Sequence, residues 1–328
     1  MMKRVLVTGG AGFIGSNVVA LLRSQGVGVT VLDNLSSGYA TNLDPFPEVR
    51  LVRGDVRDPA ALNDAIAGAE VVFHLAASVG STRSIEHPIE DAEINLIGTI
   101  RVLEAIRKHR ARKIVFSSSA GIFGELRTLP IREDHPVEPE SPYGASKLAA
   151  EKVCLAYGRL HGFEAVCLRY FNVYGPNQRY DAYGNVIPIF VHRLYAGEPI
   201  VIFGDGEQTR DLINVADVAQ ANVRVGATAG AVGTFNIASA TQISINRLAQ
   251  LIREMSGRAA RIEHGPPRPG DVRDSVADIG AAARAFGFKP VVAIEPGLRE
   301  YLAWAERAGV DYRAPPENAD PPGLPAPM

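Results

Sequence analysis

A phenol and an ammonium stand four residues apart in Ser141-Pro142-Tyr143-Gly144-Ala145-Ser146-Lys147. Ser141 can cap a helix and Pro142 suits its first turn, so Tyr143 and Lys147 fall at i and i+4 on one helix face. A phenol that titrates near ~10 is a poor base at neutral pH. A neighbouring ammonium stabilises the phenolate, and the pair then predicts a tyrosine able to take a proton from a hydroxyl. A half-exposed Tyr–Lys pair on a helix surface has the same spacing, so the motif alone does not separate the two. A run of hydroxyls narrows the choice. The β-branched stretch from Lys113 ends in Ser117-Ser118-Ser119, placing serines at the carboxyl edge of a sheet, where one can hold an oxygen between itself and Tyr143.

The elements that must position these groups are legible as a rhythm. Apolar runs at Arg4–Val7, Val27–Leu32, Val49–Val52, Val71–Leu75, Lys113–Ser117 and Glu164–Arg169 alternate with helical patterns. That alternation predicts parallel strands joined by crossover helices, a doubly wound α/β sheet of the Rossmann type. The first strand is followed by Thr8-Gly9-Gly10-Ala11-Gly12-Phe13-Ile14-Gly15 and a helical pattern through Ser24. Glycines at this turn let the backbone approach a pyrophosphate, and the helix N-terminus after it offers free N–H groups. A tight turn with no ligand would also explain the glycines. The second strand ends in Asp33-Asn34, where a carboxylate can accept bonds from ribose hydroxyls. Asp33 would repel a 2′-phosphate, and no Arg or Lys lies between Asn34 and Tyr39, so NAD is expected. Asp33 could instead simply start the following turn. Asp55, with Val56, could touch the adenine or cap the next helix.

With 46% hydrophobic residues among 328 and a formal net charge of −2, the chain can bury one large core or two modest ones. Acidic and basic residues nearly balance, with no block of one sign, which removes the footprint of a general nucleic-acid binder. The apolar stretch Val71–Ala77 is broken by His74 and too short to span a bilayer, and Met1-Met2-Lys3-Arg4 leads directly into a strand. A cytoplasmic protein with no membrane partner is expected. Cys154 and Cys167 show no metal spacing and read as core thiols. The rhythm fades after Arg169 and returns near Thr209. The expected division is a dinucleotide domain of residues 1–171 plus about 212–240, and a smaller C-terminal substrate lobe of 172–211 plus about 241–312. The six prolines between Arg313 and Met328 predict a disordered tail.

Taken together, the glycine turn, His74-Leu75-Ala76-Ala77, Asn95-x-x-Gly98-Thr99, Ser117-Ser118-Ser119, Tyr143-x-x-x-Lys147, Arg169-Tyr170-Phe171-Asn172-Val173-Tyr174-Gly175 and Gly204-Asp205-Gly206-x-x-x-Arg210-Asp211 resemble the extended short-chain dehydrogenase/reductases. Within that family they resemble the nucleotide-sugar 4-epimerases of the UDP-galactose 4-epimerase type, over nearly the whole chain to about residue 305. The resemblance implies Ser119 as the substrate serine, Tyr143 as the acid/base and Lys147 as its partner on the nicotinamide ribose. It implies NAD held by Gly9, Gly12, Phe13, Ile14, Gly15, Asp33, Asn34, Asp55, Val56, Leu75, Ala76, Ala77, Asn95, Ser117, Tyr143, Lys147 and Tyr170. Around a UDP-sugar it places Ser119, Asn172, Arg179, Asn185, Val186, Phe203, Arg210, Arg268, Asp271 and Ser275. No metal is needed, and a homodimer through helices near Asn95–Lys108 and Pro142–Leu160 is expected.

The implied reaction oxidises the sugar at C4 and returns hydride to its other face. Related sugar dehydratases and decarboxylases carry an acidic residue just after the strand-end hydroxyl, where this chain has Ala120 and Gly121, which favours epimerisation. The family's Val-Tyr-Gly is Ile122-Phe123-Gly124 here. Ser275 stands where a bulky tyrosine restricts some relatives to plain hexoses, so N-acetylhexosamines can fit. Arg179 could pair with a C6 carboxylate, as in UDP-glucuronate 4-epimerases, although that branch has threonine at Asn172. A dissociable-cofactor reductase and a non-catalytic NAD-sensing protein are the remaining alternatives; the latter class commonly loses the Tyr or Lys kept here.

Overall fold

The apolar runs at Val5, Val71 and Ile114 are continuous rather than alternating because both faces of the sheet they form are covered. The computed structural model describes residues 2–180, 185–267 and 272–309. Its sheet contains β1 (Arg4–Thr8), β2 (Gly28–Asp33), β3 (Arg50–Arg53), β4 (Val71–His74), β5 (Lys113–Ser119), β6 (Glu164–Tyr170) and a last strand, Gly233–Ile237. All are parallel, in the order Gly233–Ile237, β6, β5, β4, β1, β2, β3. The order reverses between β1 and β4, the switch point at which such sheets open a crevice for ligands. Register pairs Thr8 with His74 and His74 with Phe116, so the ends of β1, β4 and β5 lie side by side.

One face carries α1 (Phe13–Ser24) and the helix Val215–Ala227, which bury Val18, Val19, Leu22 and Val218 against β1 and β4. On the other face α2 (Pro59–Ala65) packs through Leu62. Two short helices, α3 (Ser81–Glu86) and α4 (Pro88–Ala92), lead through a π-helical turn at Glu93–Gly98 into α5 (Thr99–His109), and α6 (Pro142–His161) completes that face. Cys154 on α6 and Cys167 on β6 are fully buried there, and burial pushes the Cys167 thiol up.

A second core, with Ile187, Phe190, Leu248, Ile252, Leu298 and Leu302, gathers the helices Val186–Ala196, Ile245–Ser256 and Ile294–Ala308. Short strand pairs join it: Asn172–Tyr174 with Leu212–Asn214, Ile200–Phe203 with Ile262–Gly265, and Thr209–Arg210 with Ile243–Ser244. The segment around the helix Gly280–Phe286 returns to the first core, where Ala282, Phe286 and Phe288 pack against Phe235. That segment falls inside the stretch expected for the smaller lobe. Its three consecutive alanines carry no pattern that tells one core from the other. The proline-rich tail from 313 lies outside the described residues, and among those described no helix is long and apolar enough to cross a membrane.

A buried ion pair fastens α6 to the sheet. Glu151, fully buried, accepts from Arg169 Nε (3.0 Å) and Nη2 (2.7 Å) and from Ser118 Oγ (2.8 Å). Arg169 also donates to the Glu133 carbonyl at 2.9 Å. Desolvating both charges is costly, and these charge-assisted bonds offset that cost only while both partners stay. Glu151→Ala should therefore lower the unfolding free energy by about 3–5 kcal/mol, measured by urea titration. A loss under about 1 kcal/mol, the range of a surface pair, would contradict this.

Candidate active site

Two glycines allow the first turn. Gly9 has φ +69°, and a Cβ there would sit 2.7 Å from the Ala76 nitrogen; one on Gly15 would sit 2.0 Å from the Gly9 carbonyl oxygen. The turn delivers the chain to α1, whose N-cap is Gly12. No side chain caps that end and its first turn holds no acidic residue. Its N–H groups and positive dipole end are therefore available to an anion. Beside it, Asp33 Oδ2 accepts from the Ala11 N–H (2.9 Å) and Oδ1 from the Leu35 N–H (2.8 Å). Burial raises the Asp33 pKa and these two donors partly offset it. Each oxygen keeps acceptor capacity for a ribose hydroxyl, so Asp33 serves the turn and fits the ribose together. A cradle too narrow for a Cβ, an uncapped helix end and a carboxylate beside them fit a dinucleotide.

Asp55 accepts from the Arg57 side chain (2.9 Å) and backbone (2.8 Å) and from Asn34 Nδ2 (2.9 Å). Burial raises its pKa, but these bonds outweigh burial and hold it below the usual range. The helix cap considered for Asp55 belongs instead to Asp58, which accepts from the Ala60 N–H at 2.8 Å. Val56 is buried against Gly98.

At the crevice floor His74 is fully buried between two threonines. Thr99 Oγ1 donates to the Asn95 carbonyl (2.6 Å), so it accepts from His74 Nε2 (2.9 Å), and Nδ1 accepts from Thr8 Oγ1 (2.7 Å). Burial, with the charge of Lys147, pushes the imidazole down to about 3, so it is neutral. Thr8 Oγ1 in turn accepts from the Ala76 N–H (3.3 Å), and the Leu75 N–H reaches the Thr8 carbonyl (3.1 Å); Leu75, Ala76 and Ala77 are half-buried. Asn95, expected against the cofactor, has its amide engaged within the protein. It accepts from the Ser78 N–H (2.9 Å) and donates to the Ser78 carbonyl (3.0 Å), Asp91 (2.9 Å) and Ser146 (3.2 Å). It holds the strand-end loop in place.

Ser119 closes β5. Its Oγ accepts from the Gly121 N–H at 3.1 Å and lies close enough to the Tyr143 phenol to act on its titration. Ser141 caps α6 through the Gly144 N–H (3.2 Å), and the Tyr143 N–H donates to Ser84 Oγ (3.0 Å). Lys147 is buried, its Nζ 3.5 Å from Ser117 Oγ and 4.6 Å from the Phe116 ring centroid; burial pushes it down to about 8. The expected lowering of the phenol by Lys147 is not found. Burial raises Tyr143, the Ser119 hydroxyl lowers it and the Asp91 charge raises it, for a net rise. The i+4 spacing puts both residues on one face, but the ammonium extends toward Ser117. Sequence reasoning missed Asp91, which accepts from Ser146 Oγ and Asn95; its i, i+4 spacing to Asn95 was the available signal. It also read Gly121 only as a position without an acid. A Cβ there would lie 3.4 Å from Ser119 Oγ and 3.7 Å from the Tyr143 ring, so the glycine keeps space beside both.

Of the remaining expected residues, Tyr170 turns its hydroxyl into the first core, bonding Asn222 at 2.9 Å. Asn172 Nδ2 donates to the Asp211 carbonyl (3.1 Å) and Asn185 Nδ2 to the Val173 carbonyl (3.3 Å), ahead of Val186 on its helix. Phe203 ends the strand Ile200–Phe203. Arg210 Nη1 donates to the Thr209 (2.8 Å) and Val272 (2.7 Å) carbonyls. Ser275 is buried beside Val276, whose carbonyl accepts from Ile131 (2.8 Å). Arg179 lies with its guanidinium 3.9 Å over the Tyr39 ring, and the Tyr39 N–H reaches the Ala11 carbonyl (3.0 Å). Its contact is thus with the loop beside the glycine turn. Arg268 and Asp271 lie outside the described residues.

Residues 5–238 match the family model of the NAD dependent epimerase/dehydratase family. A UDP-glucose 4-epimerase of Mycolicibacterium smegmatis is 40% identical over 301 residues, covering 90% of this chain and 96% of that protein. Among solved structures, the UDP-glucose 4-epimerase of Thermotoga maritima with UDP-glucose superposes with a TM-score of 0.88 at 36% identity, covering 93% of this chain and 99% of that one. The UDP-N-acetylglucosamine 4-epimerase of Methanobrevibacter ruminantium M1, in complex with UDP-N-acetylmuramic acid, gives the same values.

The neutral histidine makes a measurable demand. His74 takes a proton in the unfolded chain below about 6.5 but in the folded protein only near 3. Between those values the unfolded state holds more protons, so stability rises with pH across the window and drains away as pH falls below 6.5. From pH 6.5 to 4.5 the parent protein should lose about 2 kcal/mol more than His74→Asn does, by urea unfolding at each pH. Parallel curves would contradict it.

Proposed function

Because the chain belongs to the NAD dependent epimerase/dehydratase family, we propose that it interconverts the C4 epimers of a UDP-sugar through a transient 4-keto sugar. The observation that carries this is the Ser119–Tyr143 contact, open on the side of Gly121. Ser119 holds the C4 oxygen while Tyr143 takes its proton, and the same phenol returns the proton after the sugar presents its other face. NAD, when bound, accepts and returns the hydride and adds its positive ring to the field on the phenol. Since Lys147 is turned toward Ser117, it suits holding the ribose beside that ring more than pairing with the phenol directly. Ala120 and Gly121 offer no acid for an elimination, which supports epimerisation over dehydration.

The anchor for the UDP group is assigned to Asn172, Asn185, Val186, Phe203, Arg210, Arg268 and Asp271, with charge-assisted bonds from the arginines to the diphosphate. The sugar's own contacts must be fewer, because it has to turn. A small, buried Ser275 supports room for an N-acetyl group, and the likeness to a UDP-N-acetylglucosamine 4-epimerase points the same way. Arg179, on which a uronic-acid substrate would depend, is stacked on Tyr39, and we assign it to that loop. Exposed Ile85, Ile89, Ile97 and Leu160, on α3, α4, the π-helical turn and the end of α6, support a second copy of the chain as the partner.

Incubation with UDP-glucose, UDP-N-acetylglucosamine and UDP-glucuronate separately, followed by NMR of the C4 proton, should show epimers of the first two. Tyr143→Phe should cut turnover at least about 100-fold with nucleotide-sugar binding largely kept; undiminished turnover would remove the assignment. Ser275→Tyr should depress activity on the N-acetylated sugar about tenfold more than on the hexose. Equal losses on both would argue against Ser275 as the residue that sets sugar size.

A further inference from the structure

The loop that leaves β6 for the second lobe folds back onto the helix that begins the cofactor crevice. Pro176 offers its carbonyl to Asn17 Nδ2 at 3.0 Å, and Asn177 Nδ2 donates to Ser16 Oγ at 3.0 Å. Ser16 ends the first turn of α1 and Asn17 begins the second, directly behind the N–H groups of Phe13, Ile14 and Gly15 that are available to a pyrophosphate. These bonds join residues about 160 positions apart in sequence. Two positions further on, Arg179 lies on Tyr39. The same loop is tied into the second core, where Tyr301 Oη donates to the Gln178 carbonyl at 2.9 Å. Asn177 holds φ +71°, a left-handed conformation that asparagine tolerates better than most residues, and there it aims its amide at Ser16.

We propose that Asn17, Asn177 and the Arg179–Tyr39 stack form a latch by which the substrate lobe closes the dinucleotide crevice, and that opening this latch limits cofactor release. It rests on the reading that the cofactor stays bound while hydride leaves and returns. An enzyme that keeps its nicotinamide through two opposed transfers needs slow dissociation, and affinity is tuned mostly through the off-rate. The glycine turn and helix end supply binding from the first lobe alone. Contacts that must break before the lobes part add a barrier without touching the reacting atoms. Asn17, Asn177 and Tyr39 are positioning residues in this sense.

The test is NAD release. Protein loaded with NAD is stripped of free cofactor by rapid gel filtration, and retained NAD is followed over time by absorbance. Asn177→Gly removes the amide and accepts the positive φ; Asn17→Ala removes the other contact from the α1 side. Each should raise the release rate at least about tenfold with an unchanged melting temperature of the cofactor-free protein. Tyr39→Leu should act likewise, whereas Tyr39→Phe, which keeps the ring under Arg179, should release like the parent. Release within about twofold of the parent in Asn17→Ala and Asn177→Gly would overturn the latch, and if one of them fails to fold the other decides. A parent protein that sheds its NAD during the column run would overturn it too. A protein that retains NAD but epimerises no UDP-sugar would instead overturn the reaction assigned above and leave the latch standing.

Discussion

A single uncharged imidazole sets the floor of the crevice. His74 is held from both sides by threonine hydroxyls, and in the chain from Ala76 through Thr8, His74 and Thr99 to the Asn95 carbonyl the neutral ring donates from Nε2 because Thr99 already donates to that carbonyl, leaving Nδ1 to accept from Thr8. A protonated ring would need an acceptor at both nitrogens, and Thr8 would have to reverse its hydroxyl. The chain links the end of β1, the end of β4 and the π-helical turn before α5. The glycine turn, the loop at Ser78 and the first turn of α6 are each referenced to it. Tyr143 and Ser119 find each other because these two strand ends and that turn are fixed in one frame.

Elsewhere in the molecule buried carboxylates do comparable work on loops. Asp33 pins the glycine turn through Ala11 and the next turn through Leu35. Fully buried Asp211 collects the N–H groups of Ser239, Ala240 and Ala277 together with the Ser239 hydroxyl. Burial raises its pKa and those donors partly offset it. Asp211 thereby joins the strand ends of the second lobe to the segment that carries Ser275. Glu151 closes the set by tying α6 to the sheet. Each satisfies enough lone pairs to tolerate its position.

What the residues announced in advance were the local devices. Gly9, Gly12 and Gly15 mark a turn by their spacing, Ser141-Pro142 marks a helix start, and the β-branched runs mark strands; each is decided within a few residues. The features that could not be read there depend on distant partners. Nothing near Lys147 says that its ammonium reaches Ser117 rather than the phenol, and nothing near Asn95 says that its amide is taken by Ser78. The cap of α2 is by contrast local: Asp58 directly precedes Pro59 at the helix start and accepts from the Ala60 N–H. The helix Gly280–Phe286 joins the first core because Phe286 finds Phe235, a pairing that no periodicity encodes.

That pairing bears on how the molecule is made. The last strand of the sheet, Gly233–Ile237, pairs with β6, and its outer cover arrives only with Phe286 and Phe288. During synthesis the ribosome therefore delivers Val186–Ala196 and Ile245–Ser256, which belong to the other core, before Phe235 in the first has its cover. The larger lobe cannot finish as an autonomous N-terminal unit. Nascent chains shorter than this point leave the apolar face around Phe235 uncovered, the kind of surface that holdase chaperones cover.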